Sequence, residues 1–389
     1  MRRILVAATF VAAAAGLVGS SQASPTAQHL RDANQAGHAT TSVFASGFNN
    51  PRGLTFGPDG NLYVAEGGLG GSNSTVGQCP QAAGAGAPYT GSTNDPVRGG
   101  RISRVSPGGA VTTVVNALPS SQTSPGLGSL VSGVSSVAFI GNQLYALLAG
   151  AGCSHGVPSV PNGVIRVGSD GRWSLIANLS AFLASHPAAH PDLEDFEPDG
   201  TWYSMISFDG ALYPMDSNHG ELDRVTPDGS ISRVVDISAQ VGHVVPTALV
   251  HRGSSDSGDE AEQENGSGTT FIANLGLFGP TDGTGDEHIY QLSDSGSLSV
   301  HASGLEQVLG LAFRQGNLYA LEMSTTGGGP TAGTGAIVRV QNGAPVETVA
   351  SGLTFPTGMT VGPDGAFYVS DHGFGSGAGA GRVLRITIP

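Results

Sequence analysis

Six positions in this chain have the residue types of a cation site. Glu66, Leu148, Asp216, Asn274, Glu322 and Asp371 each stand three residues past an aromatic side chain: Tyr63, Tyr145, Tyr213, Phe271, Tyr319 and Tyr368. All but Leu148 carry side-chain oxygen. A ring of carboxylates and an amide is the donor set that a hard cation such as Ca2+ prefers. The competing reading is structural. A polar residue inherited at a strand end hydrogen-bonds the backbone of a nearby loop.

Histidine offers a second chemistry. It recurs in Ser154-His155-Gly156, Asn218-His219-Gly220 and Asp371-His372-Gly373. A histidine beside an acid can act as a base, and Asp371 with His372 is the best such pair. The three do not share an offset in the repeat, and no serine in a nucleophile-elbow context accompanies them. Asp192 to Asp199 packs five acids into eight residues, which reads first as a solvated loop. Arg104, Arg166, Arg224, Arg339 and Arg385 recur with Gln291 in one strand position. There the aliphatic stems pack along a sheet and the heads find carbonyls or acids.

These residues are ordered by an internal repeat. Residues 51–66 (Pro-Arg-Gly-Leu-Thr-Phe-Gly-Pro-Asp-Gly-Asn-Leu-Tyr-Val-Ala-Glu) align without a gap on 356–371 (Pro-Thr-Gly-Met-Thr-Val-Gly-Pro-Asp-Gly-Ala-Phe-Tyr-Val-Ser-Asp). Shorter copies begin at Val137, Ile206 and Leu311, and a diverged one at Ala248. Each reads as a hairpin whose Asp-Gly or Gly-Asn turn supplies positive φ. A second hairpin follows, as in Ile102 to Val115 and Leu222 to Val235. Four strands at spacings of roughly 40 to 65 residues predict propeller blades. The fold expected is all-β: a six-bladed β-propeller with four antiparallel strands per blade, at 46–115, 116–179, 180–237, 238–302, 303–350 and 351–389. The last copy ends after three strands. Ser42 to Ala45 matches the segment before the fifth-to-sixth junction, so an N-terminal strand is expected to close the ring in the last blade. The long b–c and d–a loops fall on one face, where binding residues concentrate. The aligned aromatics are expected as core between blades.

Composition sets limits on function. The 16 basic residues are all Arg against 30 acids, a net charge of −14, and Gly and Pro make up about a fifth of the chain. Without lysine there is no Schiff-base or phosphate-loop lysine. The acidic balance argues against nucleic acid and anionic membranes. Arg2-Arg3, the apolar run 4–18 and Ser21-Gln22-Ala23 read as a secretory signal peptide, 1–23. A flexible leader (24–40) and one domain (41–389) follow, the domain carrying an acidic, flexible Ser/Gly-rich insert at 253–268. The mature protein would be exported from a bacterium, free of the membrane, and monomeric. In that compartment Cys79 and Cys153 are expected to form a disulfide closing about 75 residues, worth roughly 4 kcal/mol in the chain-entropy model.

The motifs Ser-Gly-Leu/Phe-x-x-Pro-x-Gly-Leu/Met and Gly-Pro-Asp-Gly-x-x-Tyr-Val, with the Gly-rich inserts, resemble the ScyD/ScyE family of exported NHL-like six-bladed propellers. The resemblance runs from about Thr41 to Ile388. It implies the fold and no catalytic set. Two six-bladed enzyme families give a contrast. Metal-dependent lactonases of the gluconolactonase type place Glu, Asn, Asn and Asp near the starts of inner strands. Here those starts offer Asn50, Asp199 and Gln307, with Ser132 to Val134, Thr247 and Thr357 elsewhere, an incomplete set. Quinoprotein sugar dehydrogenases use a channel histidine with basic residues, and no matching set stands here.

The expectation is a secreted binding or scaffold propeller whose looped face engages a small molecule, glycan or protein. The alternative is a Ca2+-assisted hydrolase or lactonase using the ring of Glu66, Asp216, Asn274, Glu322 and Asp371.

Overall fold

A computed structural model describes residues 39–84, 87–123, 131–191, 193–253, 268–276, 287–326, 329–341 and 343–389. The expected signal, the leader up to residue 38, residues 254–267 of the insert, and Asp192 lie outside the described residues.

The repeat becomes six four-stranded antiparallel sheets. The first is Pro51–Phe56, Leu62–Glu66, Gly100–Val105 and Val111–Leu118. The second is Val134–Ile140, Gln143–Leu148, Gly163–Val167 and Trp173–Asn178. The third is Trp202–Phe208, Ala211–Asp216, Glu221–Val225 and Ile231–Asp236. The fourth is Pro246–Gly253, Gly268–Asn274, His288–Leu292 and Leu298–Ser303. The fifth is Val308–Arg314, Asn317–Glu322, Gly335–Gln341 and Ala344–Leu353. The sixth takes Gly358–Val361, Phe367–Asp371 and Gly381–Thr387 from the C-terminus and Thr40–Phe48 from the N-terminus. That last strand runs antiparallel to its neighbour from Thr40 opposite Thr387 to Phe48 opposite Gly381.

The first strands touch their neighbours in cyclic order, the sixth sheet against the first. Glycine turns set the register. Asp209-Gly210 and Gln315-Gly316 both have positive φ at both residues, the backbone of a two-residue hairpin whose twist matches its strands. Second strands are buried on both sides because each lies between adjacent sheets, whereas outer strands such as Val111–Leu118 are largely open to solvent. The six aligned aromatics are buried as expected. Tyr63 meets Phe139, Phe271 meets Phe313, and Tyr319 meets Phe367, each edge-on. Tyr368 does the same to Phe56 at 5.0 Å, joining sixth sheet to first.

Hydroxyls join sheet to sheet. Ser136 donates to the Met205 carbonyl, Ser217 to Pro246, Thr247 to Val308, and Thr357 to Pro51. At the closure the strands come too close for a side chain. A Cβ on Gly358 would lie 2.6 Å from the Arg52 carbonyl oxygen.

A seventh sheet was not anticipated from the repeat. It has three short strands, Thr90–Ser92, Ser120–Gln122 and Val131–Ser132, and is built entirely from the long loops. Among the described residues two short helices, Leu179–Ser185 and Ile237–Val241, sit in third-sheet and fourth-sheet approaches, capped by Asn178 and Asp236. No described helix is long and apolar enough to cross a membrane.

Candidate functional site

Backbone pairing places Arg52, Ser135, Tyr203, Thr247, Leu309 and Thr357 at one equivalent position, beside the start of each innermost strand. Two of them meet near the centre. Tyr203, from the third sheet, donates its hydroxyl to the Thr357 carbonyl of the sixth at 2.9 Å. Arg52 donates to the Val131 carbonyl at 2.7 Å and to the Gly373 carbonyl, so it ties the first sheet to the three-stranded sheet of the loops and to the loop that leaves the sixth sheet. Arg52 is 8% exposed and is the one buried arginine among the described residues. Burial lowers its pKa, opposed by Tyr203. Burial also pushes the Tyr203 hydroxyl up to about 12, with Arg52 pulling the other way. Tyr203 is nevertheless only half-buried, so part of it borders open space.

The aligned acids act on the chain itself. Glu66 accepts from the Asn49 amide at 2.7 Å, from Arg101 at 2.6 and 2.7 Å, and from Ser103 at 2.5 Å. Asp216 accepts from the Thr201 and Asn218 amides and from His219. The Asn274 side chain accepts from the His288 amide, and Glu322 from the Glu306 amide. Asp371 accepts from the Thr354 amide, His372 and Arg382. In the second sheet, where the position is Leu148, Asn162 accepts from Ala151 and donates to the carbonyls of Asp199 and Gly200. These are capping bonds that hold the loops at this end of the sheets. Among the described residues no three His, Cys, Asp or Glu side chains are grouped to hold a metal ion.

The other positions compared with lactonases have local tasks too. Asn50 donates to the Gly68 carbonyl, and Asp199 accepts from the Ser154 amide and hydroxyl at 2.8 and 2.6 Å. Gln307 is buried in a left-handed turn, φ 45°, matching Asn50 at 49° and Phe355 at 46°. Of the recurrent arginines, Arg385 pairs with Asp364 and Arg339 with Glu347, near the surface. These two pairs lie within single sheets, consistent with the structural reading of that position.

Asp371 and His372 do form a pair, 2.8 Å apart, with His372 30% exposed. This bond orients the ring through Nδ1. Asp371 is shared with Arg382, and no hydroxyl or thiol nucleophile is hydrogen-bonded to His372 among the described residues.

The acidic run divides. Glu194 and Asp195 are exposed, but Glu197 is buried, contrary to a wholly solvated loop. Its carboxyl accepts from Tyr89 at 2.9 Å and from Thr201, and lies 3.4 Å from His155 Nε2. His155 Nδ1 is 3.0 Å from the Ser121 hydroxyl. Desolvation, then repulsion from Asp195, pushes Glu197 up to about 8, and desolvation lowers His155. Both shifts favour the uncharged forms of the acid and the imidazole. Ser121 and His155 are fully enclosed, which suits a clamp rather than a nucleophile. The clamp joins four long loops, and the Cys79–Cys153 disulfide ties two of them again (Cα–Cα 6.2 Å).

A second acid group lies on the third strand of the third sheet. Glu221 and Asp223 are fully buried, Glu221 against Arg233. Burial comes first for both. With repulsion from Asp223 and Asp216 it pushes Glu221 up to about 8, and with repulsion from Asp216 it pushes Asp223 up to about 7, while Arg233 opposes both shifts. Asp216 moves the other way. Burial acts against its charge, but His219 and backbone amides outweigh it and hold it below the usual range.

No family model matches the chain, and no curated protein matches it. Solved structures do. A putative oxidoreductase (glucose dehydrogenase) from Thermus thermophilus is 17% identical over 90% of this chain and 100% of its own, TM-score 0.54. The PQQ-bound aldose sugar dehydrogenase of Streptomyces coelicolor is 13% identical over 91% and 99%, TM-score 0.53. A luciferin-regenerating enzyme is 11% identical over 90% and 95%, TM-score 0.50. At these identities the likeness establishes a β-propeller fold and nothing finer.

The repeat had located the acids and the looped face but not Arg52 or Tyr203. Their signal was available: a charged and an aromatic residue at an inner position otherwise filled by Ser, Thr and Leu.

Proposed function

We propose that this is an exported six-bladed propeller of the ScyD/ScyE kind that binds a ligand without transforming it. The ligand would sit on the long-loop face, at the mouth of the ring. The count of six is supported by a bond that recurs once per four-stranded sheet. The amide after each second strand (Gly67, Ala149, Ser217, Leu275, Met323, His372) donates to the segment entering the innermost strand. The three-stranded sheet then belongs to the loops as a platform.

The observation that carries the binding reading is the use made of the aligned acids. Each oxygen-bearing member accepts from backbone or from a neighbouring cation, while the inner ring presents Arg52 and Tyr203. A hydrolase of the lactonase kind needs a carboxylate set free for metal or water. The test is titration of the purified mature protein with small acids, glycans and lactones, followed by both calorimetry and product analysis. Binding without turnover is expected. Lactone hydrolysis that Glu322→Gln with Asp371→Asn abolishes, in protein that stays folded, would overturn it.

A further inference from the structure

We infer that the centre of the ring takes the carboxylate of a small monoanionic ligand, with the Arg52 guanidinium as its counter-charge. This rests on the binding reading above and adds the chemistry of the group bound.

Arg52 carries a full positive charge 8% exposed, and no carboxylate lies within ion-pair reach of it among the described residues. The contrast with the other arginines is direct. Arg101, Arg233 and Arg382, all more exposed than Arg52, each have a buried carboxylate partner. Buried charges are ordinarily paired, because removing a lone ion from water costs far more than neutral acceptors return. Two carbonyls use two of the five guanidinium donors and supply no net charge. The remaining donors suit the fork of a carboxylate.

Place and charge narrow the ligand. Tyr203 interacts with the guanidinium and is half-buried, its hydroxyl engaged with the opposite sheet, so it adds no second charge beside Arg52. The other equivalent positions, Ser135, Thr247, Leu309 and Thr357, are neutral. A single cation is balanced by a single negative charge. A phosphate dianion would leave one charge uncompensated in a protein already at −14. A purely structural Arg52, stapling its own sheet to two neighbouring segments, would need its donors but would not discriminate an acid from its amide.

The experiment is isothermal titration of the full mature protein with sodium acetate and benzoate, with acetamide and benzamide as neutral isosteres, and with inorganic phosphate. Wild type, Arg52→Gln, Arg52→Lys and Tyr203→Phe are compared, each checked for folding by circular dichroism. One-site binding of the carboxylates is expected, with amides and phosphate at least 10-fold weaker. Arg52→Gln should abolish the binding. Arg52→Lys, which keeps the charge and loses the fork, should weaken it at least 10-fold and serves if the glutamine variant does not fold. Equal binding of acid and amide, tighter phosphate, or unchanged affinity in Arg52→Lys would overturn the carboxylate site. In that case, glycans or other neutral ligands that still bind leave the binding reading standing. If no compound of any class binds the wild type, both fall.

Discussion

The hydroxyl of Tyr203 donates to the carbonyl of Thr357, 154 residues away and on the opposite side of the ring. Burial pushes that hydroxyl up to about 12, so it remains a donor throughout the pH range in which the protein would be handled. Tyr203→Phe leaves the Thr357 carbonyl without this donor. A loss of about 1 kcal/mol is expected in urea unfolding, with the slope unchanged. An unchanged midpoint would mean that the contact across the ring is not part of what holds it.

The junction of sixth sheet and first depends on glycine. At Gly358 an added methyl would meet the Arg52 carbonyl oxygen at 2.6 Å and carbon at 3.1 Å, both main chain. Gly358→Ala should cost about 1–3 kcal/mol by overpacking. Gly377→Ala is the control, since nothing lies within 4 Å of its Cβ position. Thermal unfolding of the two variants side by side checks the difference.

Three buried acids make the protein sensitive to rising pH. Glu197 and Glu221 titrate near 8 and Asp223 near 7 when folded, against ordinary values of 4.5 and 3.8. These three groups therefore hold more protons in the folded state than in the unfolded chain across that window, and their contribution to stability falls as pH rises from about 4 to 8. His219, raised by Asp216 against its burial, adds to the fall as pH passes its folded value. Asp216 acts oppositely, its contribution being lost as pH drops below the usual carboxylate range. His155, His251 and His301, lowered by burial, also act oppositely, losing stability as pH drops below the ordinary imidazole range, so the net fall is expected above about pH 6.5. Glu197→Gln should be close to neutral at pH 5 and stabilising at pH 8, by a few kcal/mol at most. Melting curves at the two pH values decide, and a variant that is less stable at pH 8 contradicts the assignment.

The disulfide joins residues 74 apart in sequence, within the loop platform. In the chain-entropy model it contributes roughly 4 kcal/mol. Reduction, or Cys79→Ser with Cys153→Ser, should lower the melting temperature. Protection from hydrogen exchange should fall first in the strands Thr90–Ser92 and Ser120–Gln122, while the inner strands keep theirs.

Much of this was legible in the repeat. Asp-Gly turns and the alignment of 51–66 on 356–371 carried the sheets, because hairpin geometry is local and recurs with its residues. The N-terminal strand was legible from Ser42 to Ala45 because a three-stranded last sheet needs an edge partner, and the strand formed is longer, Thr40–Phe48. The loop platform was not legible. Thr90, Ser121 and Val131 pair through tertiary contact, and no periodicity marks them. The acid ring was visible as a position, but its capping role depends on amides such as Asn49 and Thr354, contributed by the loop before each inner strand. Glu197 was obscured by its exposed neighbours in the same acidic run.

The central claim is that Glu66, Asp216, Asn274, Glu322 and Asp371 brace the ring rather than hold an ion. Differential scanning calorimetry at pH 7, with EDTA and then with millimolar Ca2+, addresses it directly. The account predicts one melting temperature under both conditions. A midpoint that falls with EDTA and is restored by Ca2+, with one ion per chain by elemental analysis, would contradict it.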